Sequence, residues 1–273
     1  MSMATQRLLP QGIYTPIPTF FDEDEELDLK ALSKHIHFTA SAGTIPVVAG
    51  SAGEAAHLSP SERTLLIKTT RAALDEAGLP YVPIVAGVGA PSTRETMQLA
   101  RQAAVAGADF VMVIPPGFYA AALQENRGEA LRAFFVDVAE ASALPVIVYN
   151  FPAVSGGIDL DSDLIVDVVR RSPNIVGVKL TTCVRLWELS NSPAGSKAYA
   201  EAQELQGKLA LADGFMQKIG FAGMKMLLHK LFGYGPLPRR PLQPSSFAAG
   251  DDWLMDPWLC EVLAEEKRLG LII

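Results

Sequence analysis

Cysteine is almost missing: Cys183 and Cys260 are the only two in 273 residues, far apart in the chain. That excludes a disulfide framework and the close cysteine spacing of a zinc site, and it points to a reducing, intracellular setting. An excess of positive charge is missing too. Lys and Arg total 23 against 30 Asp and Glu, a formal net charge of −7, which argues against a nucleic-acid partner or an anionic membrane surface. The one basic cluster of note, Arg239-Arg240, lies between prolines and reads as a solvated turn. No run approaches the roughly 20 apolar residues of a membrane helix. The opening "MSMATQRLLPQG" has no long apolar core of a leader. The expected location is the cytoplasm, with the mitochondrion left open.

What is present is ordinary for a globular chain: 49% hydrophobic and 19% charged. Short apolar, strand-like runs begin at Gly12, Thr44, Tyr81, Asp109, Leu144 and Ile175. Helical patterns lie between them, several with start signals. Ser59-Pro60-Ser61-Glu62 and Ser92-Thr93-Arg94-Glu95 match the Ser-x-x-Glu capping box, and Asp161 precedes "LIVDVVRR" as an N-cap. Strands alternating with helices imply parallel pairing through right-handed crossovers. Near-continuous apolar strands imply that both sheet faces are covered. The pattern admits an eight-stranded (β/α) barrel or an open doubly wound sheet.

After Leu180 the rhythm stops. The stretch from Val184 to Gly235 is helix-like, with Ser192-Pro193 as a cap, and it contains no seventh or eighth buried strand. The remainder reads as a proline-rich loop followed by one short helix. The expected organisation is therefore a barrel-type domain over residues 1–235, truncated after residue 183, with residues 236–273 as loop and helix.

The stretch "NIVGVKLTTC", Asn174–Cys183, holds a lysine inside what otherwise reads as a strand. Alternation puts Val176, Val178 and Leu180 on one face and Gly177, Lys179 and Thr181 on the other. In the preceding strand Ile147 and Tyr149 share a face. With both inward, Tyr149 and Lys179 are neighbours at the carboxyl ends of adjacent strands, where barrels carry their chemistry. A desolvated lysine there can lose its proton, attack a ketone and form an imine, with a phenol to carry protons. A strand-end lysine paired with a loop carboxylate accounts for the spacing equally well. The second strand ends in "GSAGEAAHLS". Gly50 and Gly53 let the backbone turn tightly, and Ser51 and Ala52 offer N–H groups and a hydroxyl to a small carboxylate, with Glu54 bracing the loop. A plain βα turn with glycines is the alternative.

Taken together, "GSAGE", "PPGFY", "VIVYNFP" and "VGVKLT" resemble, in order and on these strands, the dihydrodipicolinate synthase / N-acetylneuraminate lyase family of class I aldolases. The resemblance covers residues 10 to 183 closely and resumes more loosely from Ala198 to Gly235. It implies a TIM (β/α)8-type barrel, here incomplete, with six recognisable βα units and a helical C-terminal region. It implies that Lys179 forms a Schiff base with pyruvate or another 2-oxo acid and that Tyr149 of "YNFP" shuttles protons. It implies that Ser51 contributes a hydroxyl and that Gly50, Ser51, Ala52 and Gly53 hold the substrate carboxylate. Tyr119 of "PPGFY" is a partial match to a further substrate-binding tyrosine. No metal and no organic cofactor are implied. The expected partners are a small 2-oxo acid and further copies of the chain, as dimer or tetramer, with no nucleic acid and no membrane.

Two departures stand out. Dihydrodipicolinate synthases follow Y-N-x-P with Ser-Arg, whereas here the arginine position is Val154, which favours an aldolase branch. That branch would cleave 4-hydroxy-2-oxoglutarate or 2-keto-3-deoxy sugar acids, releasing pyruvate or glyoxylate. The absent strands would leave a sheet edge open beside Lys179, so an inactive paralogue acting through association is the rival reading, with the synthase itself a third. The sequence also carries weaker signals. Gly87-Val88-Gly89 lacks the rest of a dinucleotide fingerprint, and His35 and His37 point apart on a helix. His57 neighbours the carboxylate loop; Trp187, Trp253 and Trp258 read as packing residues. Asp159, Asp161 and Asp163 suit a helix start, with calcium as the remote alternative.

Overall fold

The computed structural model describes residues 8–180, 197–245 and 255–268. All six apolar runs form strands: β1 (Tyr14–Pro16), β2 (Ile45–Val48), β3 (Val85–Gly87), β4 (Phe110–Val113), β5 (Val146–Asn150) and β6 (Ile175–Leu180). Each pairs in parallel with the next, and the sheet order is β1-β2-β3-β4-β5-β6. A doubly wound sheet would reverse its order at a switch point; this one does not, so the barrel sequence is the right alternative. The crossovers are helices α1 (Leu29–Ser41), α2 (Pro60–Glu76), α3 (Thr93–Ala106), α4 (Ala120–Ala141, broken over Glu125–Gly128) and α5 (Ser162–Arg171).

The start signals mark helix caps at all three sites, though only the first is a full capping box. At α2 the Ser59 hydroxyl accepts from the Glu62 N–H and the Glu62 carboxylate accepts from the Ser59 N–H, a complete capping box with Pro60 in the first turn. Ser92 caps α3 through the Glu95 N–H, and Asp161 caps α5 through the Leu164 N–H. Asp159 accepts from the Asn150 amide, so that acidic run serves a helix start and a strand end.

One sheet face encloses the core of Ile45, Val47, Val85, Phe110, Met112, Ile147 and Tyr149. Fully burying side chains of this size stabilises the fold by about 1.5–3 kcal/mol each. The opposite set, Val111, Val113, Val146 and Val148, is buried as well, as are Leu66, Leu99, Phe135 and Val168 of the helices. The sheet curls: Leu9, just ahead of β1, packs on the same core and comes within 3.5 Å of where a Cβ on Gly177 of β6 would lie.

The strand β6 departs from strict alternation. A register shift opposite Val146 and Ile147 inserts one residue, so Val176 packs against the interior core instead of facing outward with Val178 and Leu180. The expected burial of its outer set also fails, since Val178 is half-buried and Leu180 exposed. The reason is position: among the described residues β6 is an edge, with no seventh or eighth strand beyond it. Cys183, Trp187, Val184 and Ser192-Pro193 lie outside the described residues.

The chain divides into two compact units, Met1–Thr19 with Leu27–Thr181, and Phe20–Glu26 with Thr182–Ile273. In the second, α6 (Lys197–Phe232) and α7 (Pro257–Arg268) share a core of Phe215, Ile219, Leu227 and Leu259. Trp258 packs on that core, as read; Trp253 lies outside the described residues. Buried Lys225 donates to the Leu237 carbonyl, and its Nζ lies 4.5 Å from the centroid of Phe21.

Candidate active site

The carboxyl ends of β2, β5 and β6 bring together Ser51, Tyr149 and Lys179. Tyr149 and Lys179 are register partners in the β5–β6 ladder, so both side chains leave the sheet on the same side. Lys179 Nζ lies 4.1 Å from the centroid of the Tyr149 ring. The Tyr149 hydroxyl in turn lies 3.4 Å from Ser51 Oγ, at the long end of hydrogen-bond range.

Burial sets the electrostatics. Tyr149 is only 5% exposed, and burial pushes its phenol above the ordinary tyrosine value, with the Ser51 hydrogen bond pulling the other way. Lys179 is half-buried, and burial pulls its ammonium below the ordinary lysine value. Among the described residues no carboxylate lies within ion-pair distance of Lys179, and the segment that follows β6 lies outside the described residues. An aromatic face is a weaker partner for a cation than a carboxylate is. Burial thus moves both groups toward their neutral forms, the amine by lowering its pKa and the phenol by raising its own.

The loop after β2 is wound tightly. The Gly50 carbonyl accepts from the N–H groups of both Gly53 and Ala55, and the Ser51 carbonyl from that of Glu54. Ala49 (φ 52°) and Glu54 (φ 53°) flank it in the left-handed region, a conformation that costs a residue with a Cβ about 1–2 kcal/mol. Such strain persists where surrounding contacts enforce it. Here Thr19 Oγ1 donates to the Gly53 carbonyl at 2.6 Å. A Cβ at position 53 would come within 3.0 Å of the Ile17 carbonyl oxygen. Among the described residues neither the Ser51 nor the Ala52 N–H donates a hydrogen bond, which leaves both for a ligand anion. Glu54 is buried with its Oε2 3.3 Å from His57 Nδ1, so the histidine does touch this loop.

Tyr119 is not brought into this group. It precedes α4, is 69% exposed, and stacks edge-on against Phe118 at 4.9 Å. Val154 ends a 3₁₀ turn, Pro152–Val154, and is half-exposed. Phe151 was missed in the sequence. Its ring centroid lies 5.9 Å from that of Tyr149, and the ring packs on the interior core; its place two residues beyond Tyr149, just past the end of β5, is the available signal. Gly87 also acquires a reason: a Cβ there would come within 2.0 Å of the Ala49 carbonyl oxygen, so the close backbone approach itself requires the glycine.

Three comparisons bear on this geometry. The sequence profile of the Dihydrodipicolinate synthetase family matches residues 9–192, which takes in all six strands. A "Probable 4-hydroxy-2-oxoglutarate aldolase, mitochondrial" of Emericella nidulans is 37% identical over 295 residues, covering 89% of this chain and 93% of that protein. An L-threo-3-deoxy-hexylosonate aldolase of Aspergillus niger is 32% identical over 305 residues, covering 86% and 90%. Both alignments are longer than this 273-residue chain, so the relatives carry internal sequence with no counterpart here. The crystal structure of a chloride-inhibited dihydrodipicolinate synthase from Acinetobacter baumannii, complexed with pyruvate, superposes with a TM-score of 0.76. It is 26% identical and covers 96% of this chain and 99% of that one.

Proposed function

This chain belongs to the dihydrodipicolinate synthetase family, and from that premise we propose that it is a Schiff-base-forming aldolase, a carbon–carbon lyase acting on a small 2-oxo acid. The observation that carries the reading is the meeting of Lys179, Tyr149 and Ser51 at the strand ends. The aldolase names of the two fungal relatives support the substrate class, 4-hydroxy-2-oxoglutarate or a 2-keto-3-deoxy sugar acid.

In this mechanism the free amine of Lys179 adds to the C2 carbonyl of the substrate. The substrate carboxylate sits on the N–H groups of Ser51 and Ala52. Tyr149 gives its proton to the departing C2 hydroxyl, which leaves as water and yields the iminium. The resulting phenolate takes the proton of the C4 hydroxyl as the C3–C4 bond breaks, and the bonding pair moves into the iminium to form an enamine. Tyr149 then protonates C3, and water hydrolyses the imine, returning the amine and releasing pyruvate. The other product is glyoxylate from 4-hydroxy-2-oxoglutarate, or an aldehyde from a deoxy sugar acid. Ser51 holds the phenol in place and extends the proton relay.

No described helix is long and apolar enough to cross a membrane. The reading carries with it a cytoplasmic or mitochondrial location and a homo-oligomer, dimer or tetramer. The exposed aromatic pair Phe118–Tyr119 is surface that a second copy would cover. The test is cleavage of each candidate acid, with pyruvate release followed through NADH consumption by an added lactate dehydrogenase. Release from one of them, lost in Lys179→Ala, supports the reading; no release from any of them by folded protein contradicts it.

A second reading rests on the edge position of β6: a silent subunit that acts by association. It predicts a chain that melts cooperatively only when mixed with a full-length relative. Turnover by the purified chain alone would refute it.

A further inference from the structure

Arg63 lies near the start of α2, where an arginine side chain is ordinarily solvated. In the structure it is 9% exposed. Its guanidinium donates to three backbone carbonyls on two loops: Nη2 to Ala55 at 2.7 Å, and Nη1 to Gly89 at 3.1 Å and Gly87 at 3.4 Å. Ala55 closes the loop after β2, and Gly87 and Gly89 belong to the end of β3 and the turn after it. We propose that Arg63 is a positioning residue of the aldolase site, a clamp that ties the Ser51 loop to the end of β3 and so holds Ser51 against Tyr149. This rests on the aldolase reading above.

The coupling is traceable bond by bond. Arg63 fixes the Ala55 carbonyl; the Ala55 N–H donates to Gly50, and the Ser51 carbonyl accepts from Glu54, the next residue back. Ser51 then faces the Tyr149 hydroxyl. On the other side, Gly87 is where β3 comes closest to Ala49, the left-handed residue that opens the loop. One planar fork spans both ends of this contact, a geometry the point charge of a lysine cannot reproduce.

Stability is a poor explanation for the arrangement. A guanidinium buried among neutral carbonyls is desolvated, and burial pulls its pKa down, with the charge of Glu95 as a partial counterweight. Buried charge is weak evidence for stability, and an apolar side chain of similar volume often serves at least as well. What such a chain would lose is the fixed position of the loop. Displacement of a catalytic group by about 1 Å can cost roughly 10²-fold in rate.

The experiment compares wild type, Arg63→Met, Arg63→Lys, Ser51→Ala and the Arg63→Met/Ser51→Ala double variant. It reads kcat, KM, the pH profile and the rate of borohydride trapping with pyruvate at Lys179. Wild-type trapping is scored first: a wild type that does not trap overturns the aldolase reading itself. Given trapping, Arg63→Met is expected to lower kcat on the order of 10²-fold with KM changed only a few-fold, and Arg63→Lys to lie between. Both should move the basic limb upward, as Ser51→Ala does, because the Ser51 hydrogen bond holds the Tyr149 phenol down. In the Ser51→Ala background the same Met substitution is expected to cost no more than about threefold, since two residues acting on one relay are not additive. A full-sized loss on top of Ser51→Ala, an unmoved basic limb, or wild-type kcat in Arg63→Met overturns the inference alone. Should Arg63→Met fail to fold, Arg63→Lys carries the test, and wild-type kcat with an unmoved limb in that variant overturns it.

Discussion

Lys179 Nζ lies 4.1 Å from the centroid of the Tyr149 ring because the two residues are register partners on neighbouring strands. One backbone pairing thus sets the proposed nucleophile and the proposed proton carrier side by side, and burial biases both toward neutrality. The chemistry proposed for the site, and most of what can be measured about it, descends from that pairing.

The first consequence is a pH profile. The free amine is the attacking form, so kcat/KM rises as pH climbs through the Lys179 pKa, which burial places below the ordinary lysine value of 10.5. A phenol donates only while protonated, so activity falls as pH passes the Tyr149 pKa, raised above 10.0. The expected curve is a bell with its acid limb shifted down and its basic limb shifted up. An acid limb at or above the ordinary lysine range would contradict the desolvated amine.

Tyr149→Phe separates the ring from its hydroxyl. The aromatic face beneath Lys179 remains, and so does the apolar burial, but the proton carrier is gone. General acid–base groups contribute about 10²–10⁴-fold, so kcat should fall by that amount in the pyruvate-release assay while a slower imine still forms. A variant with wild-type kcat would remove Tyr149 from the mechanism.

Gly87→Ala tests the strand approach that underlies the site. Its Cβ would meet the Ala49 carbonyl oxygen at 2.0 Å, with the carbonyl carbon at 2.7 Å. Backbone cannot rotate away as a side chain end can. The loss should reach about 3 kcal/mol, the upper part of the overpacking range, read as a lower urea midpoint. A midpoint unchanged from wild type would mean that the two strands part freely.

By the motif resemblance Val154 takes the position of a synthase arginine, and it is half-exposed in a turn, Pro152–Val154, that holds no cationic residue. Incubation with pyruvate and aspartate semialdehyde should therefore yield no cyclised product above background. Sustained turnover would return the chain to the synthase branch.

Much of this was legible in the sequence, and the misses have physical causes. The six strands and the caps at Ser59, Ser92 and Asp161 depend on local pattern and short-range hydrogen bonds, which a linear reading captures. So does the shared face of Tyr149 and Lys179, which follows from alternation. Val176 breaks the expected alternation because a bulge is decided by the partner strand, not by the residues that bulge. Ala49 and Glu54 gave no sign of their left-handed backbone, since neither is a residue type that favours it. Arg63 carries no signal in the sequence, because a helix-start arginine is usually solvated and only the meeting of two loops supplies its acceptors. Tyr119 matched a motif, yet its neighbour in space is Phe118 rather than Lys179.

Reductive trapping of the intact chain is the most direct test of the central claim. The purified protein is incubated with pyruvate and borohydride, digested, and each lysine peptide weighed. The account predicts a single reduced pyruvyl adduct on Lys179, absent without borohydride and slower in Ser51→Ala. A folded sample with Lys179 unmodified, or with the adduct on another lysine, would contradict it.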